Sequence, residues 1–297
     1  MNRVHYSECP VCSSRSIDPL LTVKDHSVSK EDFVIWQCRN CSLRFTQDVP
    51  DEGSIGSYYQ SADYISHSNT NKGLLNKLYQ GVRKFTLGQK ADFIISKTRP
   101  QGNLLDVGAG IGAFADTMKK RGWKVTGVEQ DEGARGQAKK LFQVDLQTPD
   151  TLDQLSPKSF DAITLWHVME HVHSLHNYIE TMKELLSNGG KIFIAVPNYT
   201  SLDSDIYKTW WAAYDVPRHL YHFSPKSVSK LVEQHGLKVS SVHPMWFDSF
   251  YISLLSSKYR SGKLSWMGAA FNGLRSNIIT LFNKERCSSV LYVVEKI

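Results

Sequence analysis

Four of the five cysteines form two pairs near the amino terminus, and their spacing is that of a metal site. Two residues separate Cys9 from Cys12, two separate Cys38 from Cys41, and 25 residues lie between the pairs. Each pair points two thiolates at one ion, and two pairs complete the tetrahedral sulfur shell that Zn²⁺ prefers. We therefore predict a structural zinc ribbon, with a redox dithiol as the alternative. Cys287 stands alone and is predicted to be a buried apolar residue.

A glycine-rich segment follows the predicted strand Leu104–Val107 and reads Asp-Val-Gly-Ala-Gly-Ile-Gly over 106–112. Glycines let a backbone pass close to a ligand, and a helix that begins there offers free N–H groups and a positive dipole end. With Glu129 after the next strand, the pattern also satisfies a relaxed dinucleotide fingerprint. The carboxylate of Asp106 would repel a diphosphate and favour an ammonium or sulfonium group. A nicotinamide oxidoreductase is therefore disfavoured.

Histidines and carboxylates cluster in two later stretches, one directly after the predicted strand Ala162–Leu165 and one between the fifth strand and the next helix. Histidine suits proton transfer near neutral pH. We predict that substrate contact or general-base chemistry falls on members of this set: His167, Glu170, His171, Asp215, Arg218, His219 and His222. Stabilising a short helix is the alternative role for Glu170 and His171. Ser224 is predicted to cap the helix that Pro225 begins.

The composition is that of a globular protein, with 41% hydrophobic and 22% charged residues in 297. No stretch reaches the roughly 18 uncharged apolar residues of a spanning helix, and the first residues lack the apolar core of a secretory signal. We therefore expect a cytoplasmic protein with reduced thiols. The net charge of +6 does not lie in the cysteine-rich segment, where six basic residues balance six acidic ones. Nucleic acid is therefore a disfavoured partner.

Apolar runs alternate with helical periodicity from residue 74 onward, which predicts a doubly wound α/β fold with about seven strands and helices on both faces. The predicted organisation is a zinc ribbon over 1–50, a linker over 51–73 and an α/β domain over 74–297. Ligands of such sheets lie beyond the carboxyl ends of the strands, near the reversal of strand order. The glycine loop and the stretch from His167 to His171 are therefore expected to lie at the same edge of the sheet.

The central segments resemble those of the class I S-adenosylmethionine-dependent methyltransferases. DVGAGIG resembles the cofactor loop, Gly122–Asp131 the second-strand segment with the ribose-binding acid, and Phe160–Val172 the fourth-strand motif. This resemblance implies a Rossmann-like seven-stranded sheet and S-adenosylmethionine as cofactor. It also implies cofactor contacts from Asp106, Gly108, Ala109, Gly110, Glu129, Gln130, Asp145, Leu146, Trp166 and His167.

A four-cysteine module before this fold also resembles the C-methyltransferases of nucleotide-activated deoxysugars. Arg218 stands where their motif has glutamate, which leaves proton abstraction from carbon in doubt and favours transfer to oxygen. We expect a small-molecule acceptor: a sugar or a cell-envelope or secondary-metabolite precursor, anionic or linked to a nucleotide or lipid. The alternatives are a methyltransferase of ribosomal RNA or other nucleic acid, and a zinc-ribbon scaffold with an inactive cofactor-binding domain.

An insertion over about 244–284 separates the last two predicted strands and reads as two amphipathic helices around Ser261-Gly262. Aromatic and aliphatic residues alternate with lysine and arginine throughout it. We expect a lid or a dimer face, with peripheral membrane contact as the alternative.

Overall fold

The computed structural model describes residues 2–59 and 74–297. The amino-terminal part holds five short strands: β1 (Arg3–Val4), β2 (Ile17–Lys24), β3 (Asp32–Cys38), β4 (Arg44–Thr46) and β5 (Val49–Pro50). Strands β2, β3 and β4 pair antiparallel, while β1 pairs with β5. A 3₁₀ turn follows at Ile55–Tyr59, inside the predicted linker, and the rest of that linker, 60–73, lies outside the described residues.

The remaining chain alternates helices and strands. The helices are α1 (Leu74–Lys97), α2 (Ala113–Lys120), α3 (Glu132–Phe142), α4 (Leu175–Leu185), α5 (Leu202–Tyr207), α6 (Pro225–Glu233), α7 (Asp248–Ser261) and α8 (Trp266–Phe282). The strands are β6 (Asn103–Val107), β7 (Lys124–Val128), β8 (Phe160–Trp166), β9 (Leu186–Pro197), β10 (Tyr221–His222), β11 (Leu237–Pro244) and β12 (Ser289–Lys296). This is the predicted α/β class.

In the described chain, the large sheet has six strands in the order β11-β12-β9-β8-β6-β7. Strand β12 runs antiparallel to both of its neighbours, and the pairs β6–β7, β6–β8 and β8–β9 are parallel. The chain reverses its direction of travel across the sheet between β7 and β8, so β6 and β8 end side by side. Strand β6 is buried from Leu104 to Val107 because helices cover both faces.

Two local predictions differ from the structure. The apolar run Val144–Leu146 predicts one of the seven strands, but only one bridge forms there, between Val128 and Gln147, because the chain runs extended beside β7 for a single residue pair. The sequence Asn188-Gly189-Gly190 predicts a turn that closes the preceding helix, but it lies within β9, and α4 ends earlier, at Leu185. Position 189 has a positive φ of 78°, which glycine adopts without strain.

The cysteine-rich segment packs directly on the α/β part. Strand β10 pairs antiparallel with β4, so a strand from the α/β part completes the ribbon's sheet. Ser224 caps α6 as predicted, accepting a hydrogen bond from the Ser227 N–H, and its hydroxyl also lies 2.7 Å from that of Ser42. The Cys9 and Cys41 side chains belong to the same buried cluster as the strands of the large sheet. The ribbon is therefore anchored at the end of the second histidine-containing stretch, because β10 includes His222.

Candidate functional site

The loop between β6 and α2 has three glycines with positive φ: Gly108, Gly110 and Gly112. A Cβ on Gly108 would collide with Val168, and one on Gly112 would lie 2.9 Å from the Ala138 methyl group. A Cβ on Gly110 would meet nothing within 4 Å among the described residues. The loop is thus compressed at its two ends and open in the middle, where a ligand could contact backbone.

Asp106 ends its strand fully buried, at the base of this loop. Its Oδ1 accepts a 2.7 Å hydrogen bond from the Thr164 hydroxyl, whereas its Oδ2 has no hydrogen-bond partner among the described residues. Burial raises the pKa of this carboxyl to about 7. An orphaned buried oxygen beside an open glycine loop is what a cationic ligand group would complete.

The end of β7 contributes Glu129, whose Oε2 accepts a 2.7 Å hydrogen bond from the Gly110 N–H. Its Oε1 accepts from Asp131 N, so the carboxylate is fixed against the loop. Gln130 is exposed next to it, and Leu146 packs against Gly127 of β7. Asp145 is 79% exposed and pairs with Lys139 at 3.0 Å. Glu129 and Leu146 therefore lie beside the glycine loop.

His167 follows β8 and lies between two carboxylates. Its Nδ1 is 3.3 Å from Glu170 Oε1, and its Nε2 is 3.2 Å from Asp248 Oδ2 at the start of α7. Desolvation lowers the pKa of this imidazole, but the two carboxylates outweigh it and raise the pKa to about 9. Val168 to His171 form a turn rather than the helix that sequence suggested, and the turn still brings Glu170 to His167.

Behind His167, three potential ligands converge: Glu170, His171 and His219, with donor atoms within 4.8 Å of one another. The His171 and His219 Nδ1 atoms lie 3.0 and 2.9 Å from the carbonyl oxygens of Arg218 and Ala213. Since a carbonyl only accepts, each Nδ1 carries the proton and each Nε2 keeps a lone pair. Glu170 Oε1 faces His167 Nδ1 at 3.3 Å, and its Oε2 has no hydrogen-bond partner in the described chain. This set could hold a divalent cation.

Arg218 is 1% exposed and lies in an ion-pair network rather than on a surface open to substrate. It donates through Nε and Nη2 to Asp215, through Nη2 to Asp25 and through Nη1 to the Tyr58 carbonyl. His222 is buried in β10, with Nε2 3.1 Å from the Thr46 hydroxyl. Arg218 and His222 have partners that join the ribbon to this loop and offer no accessible face to a substrate. Asp215 pairs with Arg218 but keeps 20% of its side chain exposed.

Two contributors to the site were not predicted. The sequence does single out Asp248, because it is the one acidic residue between 241 and 284. Lys90 of α1 lies 4.1 Å from the centroid of the Trp166 ring, and its charge acts on Asp106 and Asp248. Phe114 contacts the same Trp166 ring edge to face at 5.4 Å. Trp166 thus closes the site from the α1 side.

The four amino-terminal cysteines converge as their spacing predicted. Cys9 and Cys41 sulfurs are 3.5 Å apart, and Cys12 and Cys38 sulfurs are 3.6 Å apart. All four sulfurs lie within 4.8 Å of one another. Four Zn–S bonds of about 2.3 Å in a tetrahedron separate the sulfurs by about 3.8 Å, so the cluster fits one ion.

The arrangement of sheet, glycine loop and strand-end acids defines a methyltransferase of the Rossmann-like class. Residues 79–242 match the model of the family described as "Methyltransferase domain", and the chain belongs to this family. It is an S-adenosylmethionine-dependent methyltransferase, as the sequence predicted. The orphaned Asp106 Oδ2 and the open face of Gly110 fit the ammonium and backbone contacts that this cofactor requires.

Similar proteins are ubiquinone biosynthesis O-methyltransferases. That of Idiomarina loihiensis is 31% identical over 174 residues, which cover 52% of this chain and 69% of that protein. The human mitochondrial enzyme is 27% identical over 163 residues, or 50% of this chain and 44% of that protein. A solved Archaeoglobus fulgidus structure, titled a SAM dependent methyltransferase, is 18% identical with a TM-score of 0.48, covering 71% of this chain and 93% of that one. Within residues 2–59 and 74–297, every helix is too short or too polar to span a bilayer.

Proposed function

We propose that this methyltransferase methylates a hydroxyl oxygen of a small-molecule acceptor. His167, held between two carboxylates at the end of the strand beside the cofactor loop, is the observation that carries the proposal. The similarity to proteins named O-methyltransferases supports oxygen as the acceptor atom. An acceptor of the sugar or cell-envelope class stays a prediction from the sequence.

The cofactor supplies an electron-poor methyl group, so the protein contributes alignment and removal of the acceptor's proton. We assign Asp106 to the ammonium group and Glu129 to the ribose hydroxyls, with the loop backbone at Gly108, Ala109 and Gly110 between them. The other assigned contacts are those the resemblance implied: Gln130, Asp145, Leu146, Trp166 and His167.

His167 is the proposed general base, and Glu170 its positioning residue. Glu170 is fully buried against Nδ1, whereas Asp248 has 26% of its side chain exposed at Nε2. With a pKa of about 9 the imidazole carries a proton on Nε2 while Asp248 faces it. When the acceptor hydroxyl replaces Asp248, that proton leaves with the carboxylate to solvent, and the freed Nε2 accepts the proton of the hydroxyl. The buried Glu170 carboxylate then stabilises the imidazolium that forms.

Transfer of a labelled methyl group into fractionated metabolites identifies the acceptor and gives the assay. We expect His167→Gln to lower kcat by about 10²- to 10⁴-fold, and to lower S-adenosylmethionine affinity by a much smaller factor. His5→Gln, at an exposed ribbon histidine, is the control and leaves kcat unchanged. Unchanged turnover in His167→Gln contradicts the assignment.

A divalent cation at Glu170, His171 and His219 is a second candidate for activating the acceptor. The two imidazoles anchored at Nδ1 and the unpaired Glu170 Oε2 support it. A bound cation would polarise the acceptor hydroxyl and lower its pKa. Titration with Mg²⁺, Mn²⁺ or Zn²⁺ should show a site that His219→Gln removes and His5→Gln retains. Full activity of His219→Gln without added metal excludes this candidate.

We propose that the ribbon binds one structural Zn²⁺ through Cys9, Cys12, Cys38 and Cys41. The sulfur separations given above support the assignment, and a four-sulfur site leaves no position open for substrate. Metal analysis of the purified chain should give about one zinc per molecule. Cys38→Ser should lose the zinc, whereas Cys287→Ser should keep it. A wild-type chain without zinc contradicts the proposal.

A further inference from the structure

Helices α7 and α8 form a hairpin whose polarity is inverted relative to an ordinary surface helix. The residues that α8 buries are small or polar: Ala269, Gly273, Ser276 and Thr280. Those that α7 buries include four serines, at positions 249, 253, 256 and 257. A surface helix of a globular protein normally turns its large apolar side chains toward the core. Here the inner face holds the small side chains.

The inner face of the hairpin is specified by close packing and hydrogen bonds. A Cβ on Gly273 would lie 2.6 Å from the Phe250 ring, so the two helices approach at this point as closely as glycine allows. The Ser249 hydroxyl donates to Asn277 Oδ1 at 3.0 Å, and that of Ser276 donates to the buried Asp203 at 3.0 Å. The orientation of α8 is therefore fixed by its small face.

The outward face of α8 carries its large apolar side chains in one helical stripe. Met267 and Phe282, at the two ends of the stripe, are each 88% exposed. The stripe consists of Trp266, Met267, Phe271, Leu274, Ile278, Leu281 and Phe282. We call this stripe the α8 face. Residues 60–73, which the structure does not describe, offer only Ala62, Tyr64 and Ile65 as apolar side chains, too few to cover it.

Apart from Asp248 at its start, the charged residues of the α7–α8 hairpin itself have one sign. Between Ser249 and Lys284 the sequence has five basic residues and no acidic one. All five are exposed: Lys258, Arg260, Lys263, Arg275 and Lys284. A second copy of the chain would bring five like charges to the same interface, which disfavours a symmetric dimer there. An anionic surface would instead be attracted to them.

We propose that the α8 face docks on an anionic lipid bilayer, lying in the headgroup region with its basic residues against lipid phosphates. Apolar and aromatic side chains on one face, with flanking lysine and arginine, are the features of an interfacial helix. The segment before α7 lies beside α8, where the Asn277 side chain donates to the Trp246 carbonyl. The next residue, Phe247, is exposed, contacts Phe85 edge to face and directly precedes Asp248 of the site. Docking therefore brings the acceptor side of the site to the lipid. We therefore infer that the methyl acceptor is carried by a lipid, and this part of the inference rests on the proposed function.

Flotation of the full chain tests docking with vesicles of phosphatidylcholine alone and with added phosphatidylglycerol. We expect flotation with the anionic vesicles, weakened by salt. Leu274→Asp should lower the bound fraction about tenfold, because one apolar side chain is lost from the interface. Leu141→Asp is the matched control, since Leu141 is an exposed leucine on α3. A wild-type chain that does not float, or a Leu274→Asp variant that floats as well, overturns the proposal.

Two further measurements separate the other outcomes. Sedimentation of the free chain reports its oligomeric state, and a dimer that Leu274→Asp dissociates would assign the face to a second copy instead. Titration with S-adenosylmethionine in the same variant reports the cofactor site. If cofactor binding persists while flotation fails, only docking is wrong; if cofactor binding is absent in the wild type, the proposed function is wrong.

Discussion

The Arg218 network and Asp106 are both buried and charged, and they differ in how completely their charges are paired in the described chain. Arg218 donates to the carboxylates of Asp215 and Asp25, and Asp25 also accepts from the Ser27 and Ser29 N–H groups. Asp106, equally buried, has one partner for two oxygens among the described residues. A fully paired cluster is explained by the fold, whereas an incomplete one indicates that a ligand supplies the missing partner.

The pKa shifts of Asp25 and Asp106 reflect this difference in pairing. Burial raises the pKa of the Asp25 carboxyl, but Arg218 and the backbone N–H groups outweigh it and lower that pKa overall. At Asp106 burial dominates, and the pKa rises to about 7. One cluster thus stabilises its ionised groups without a ligand, and the other does not.

Breaking the paired cluster should produce the largest effect on stability. Arg218→Met leaves Asp25 and Asp215 buried without their cation, so we expect the free energy of unfolding to fall by about 3–5 kcal/mol. Urea denaturation measures this change. Arg39→Met breaks an exposed pair with Asp18 and should cost less than about 1 kcal/mol. Equal losses in the two variants would mean that the network contributes little.

Replacing the incompletely paired carboxylate of Asp106 should affect cofactor binding rather than folding. Asp106→Asn keeps the size of the side chain but not its charge, so it should weaken S-adenosylmethionine binding by about 10- to 100-fold. The folded chain should be no less stable, because the variant no longer buries a poorly solvated carboxylate. Calorimetric titration gives the affinity and urea denaturation the stability. Unaltered affinity would remove Asp106 from the cofactor site.

The incompletely paired carboxyl of Asp106 should also make the free energy of unfolding depend on pH. The folded-state pKa of Asp106 is about 7, above its ordinary value of 3.8, so the folded chain binds more protons between these values. Stability should therefore fall as pH rises through that window, by up to about 1.4 kcal/mol per pH unit from this group. Subtracting the profile of Asp106→Asn removes the contribution of the histidines. A flat difference would show that the pKa of Asp106 is the same in the folded and unfolded chains.

Sequence was sufficient where local pattern determines position. The paired cysteine spacing, the glycine loop and the apolar runs each fix a short segment, and the structure confirms the convergence of the four cysteines and the glycine loop between β6 and α2. The Arg218 network could not be derived in this way, because Asp25 lies 193 residues from Arg218 in the chain. Only tertiary packing decides whether an arginine near two histidines faces substrate or the interior.

The α7–α8 hairpin is a second feature whose packing the sequence pattern did not determine. The pattern predicted two amphipathic helices, and α7 and α8 are present around Gly262. Periodicity does not tell which face turns inward, and here the small residues do. Asp248 is likewise brought to His167 by the position of α7 rather than by any motif.

The smallest effect is expected at an exposed acid that the resemblance also assigned to the cofactor. Asp145 is solvated and paired with Lys139, so it gains less from a ligand than a buried carboxylate does. Asp145→Asn should weaken S-adenosylmethionine binding less than about tenfold and change stability by less than about 1 kcal/mol. The same calorimetric titration compares it with Asp106→Asn. If the two variants lose equal affinity, unpaired burial is not what distinguishes a cofactor-binding acid in this protein, and the contrast with the Arg218 network no longer identifies ligand sites.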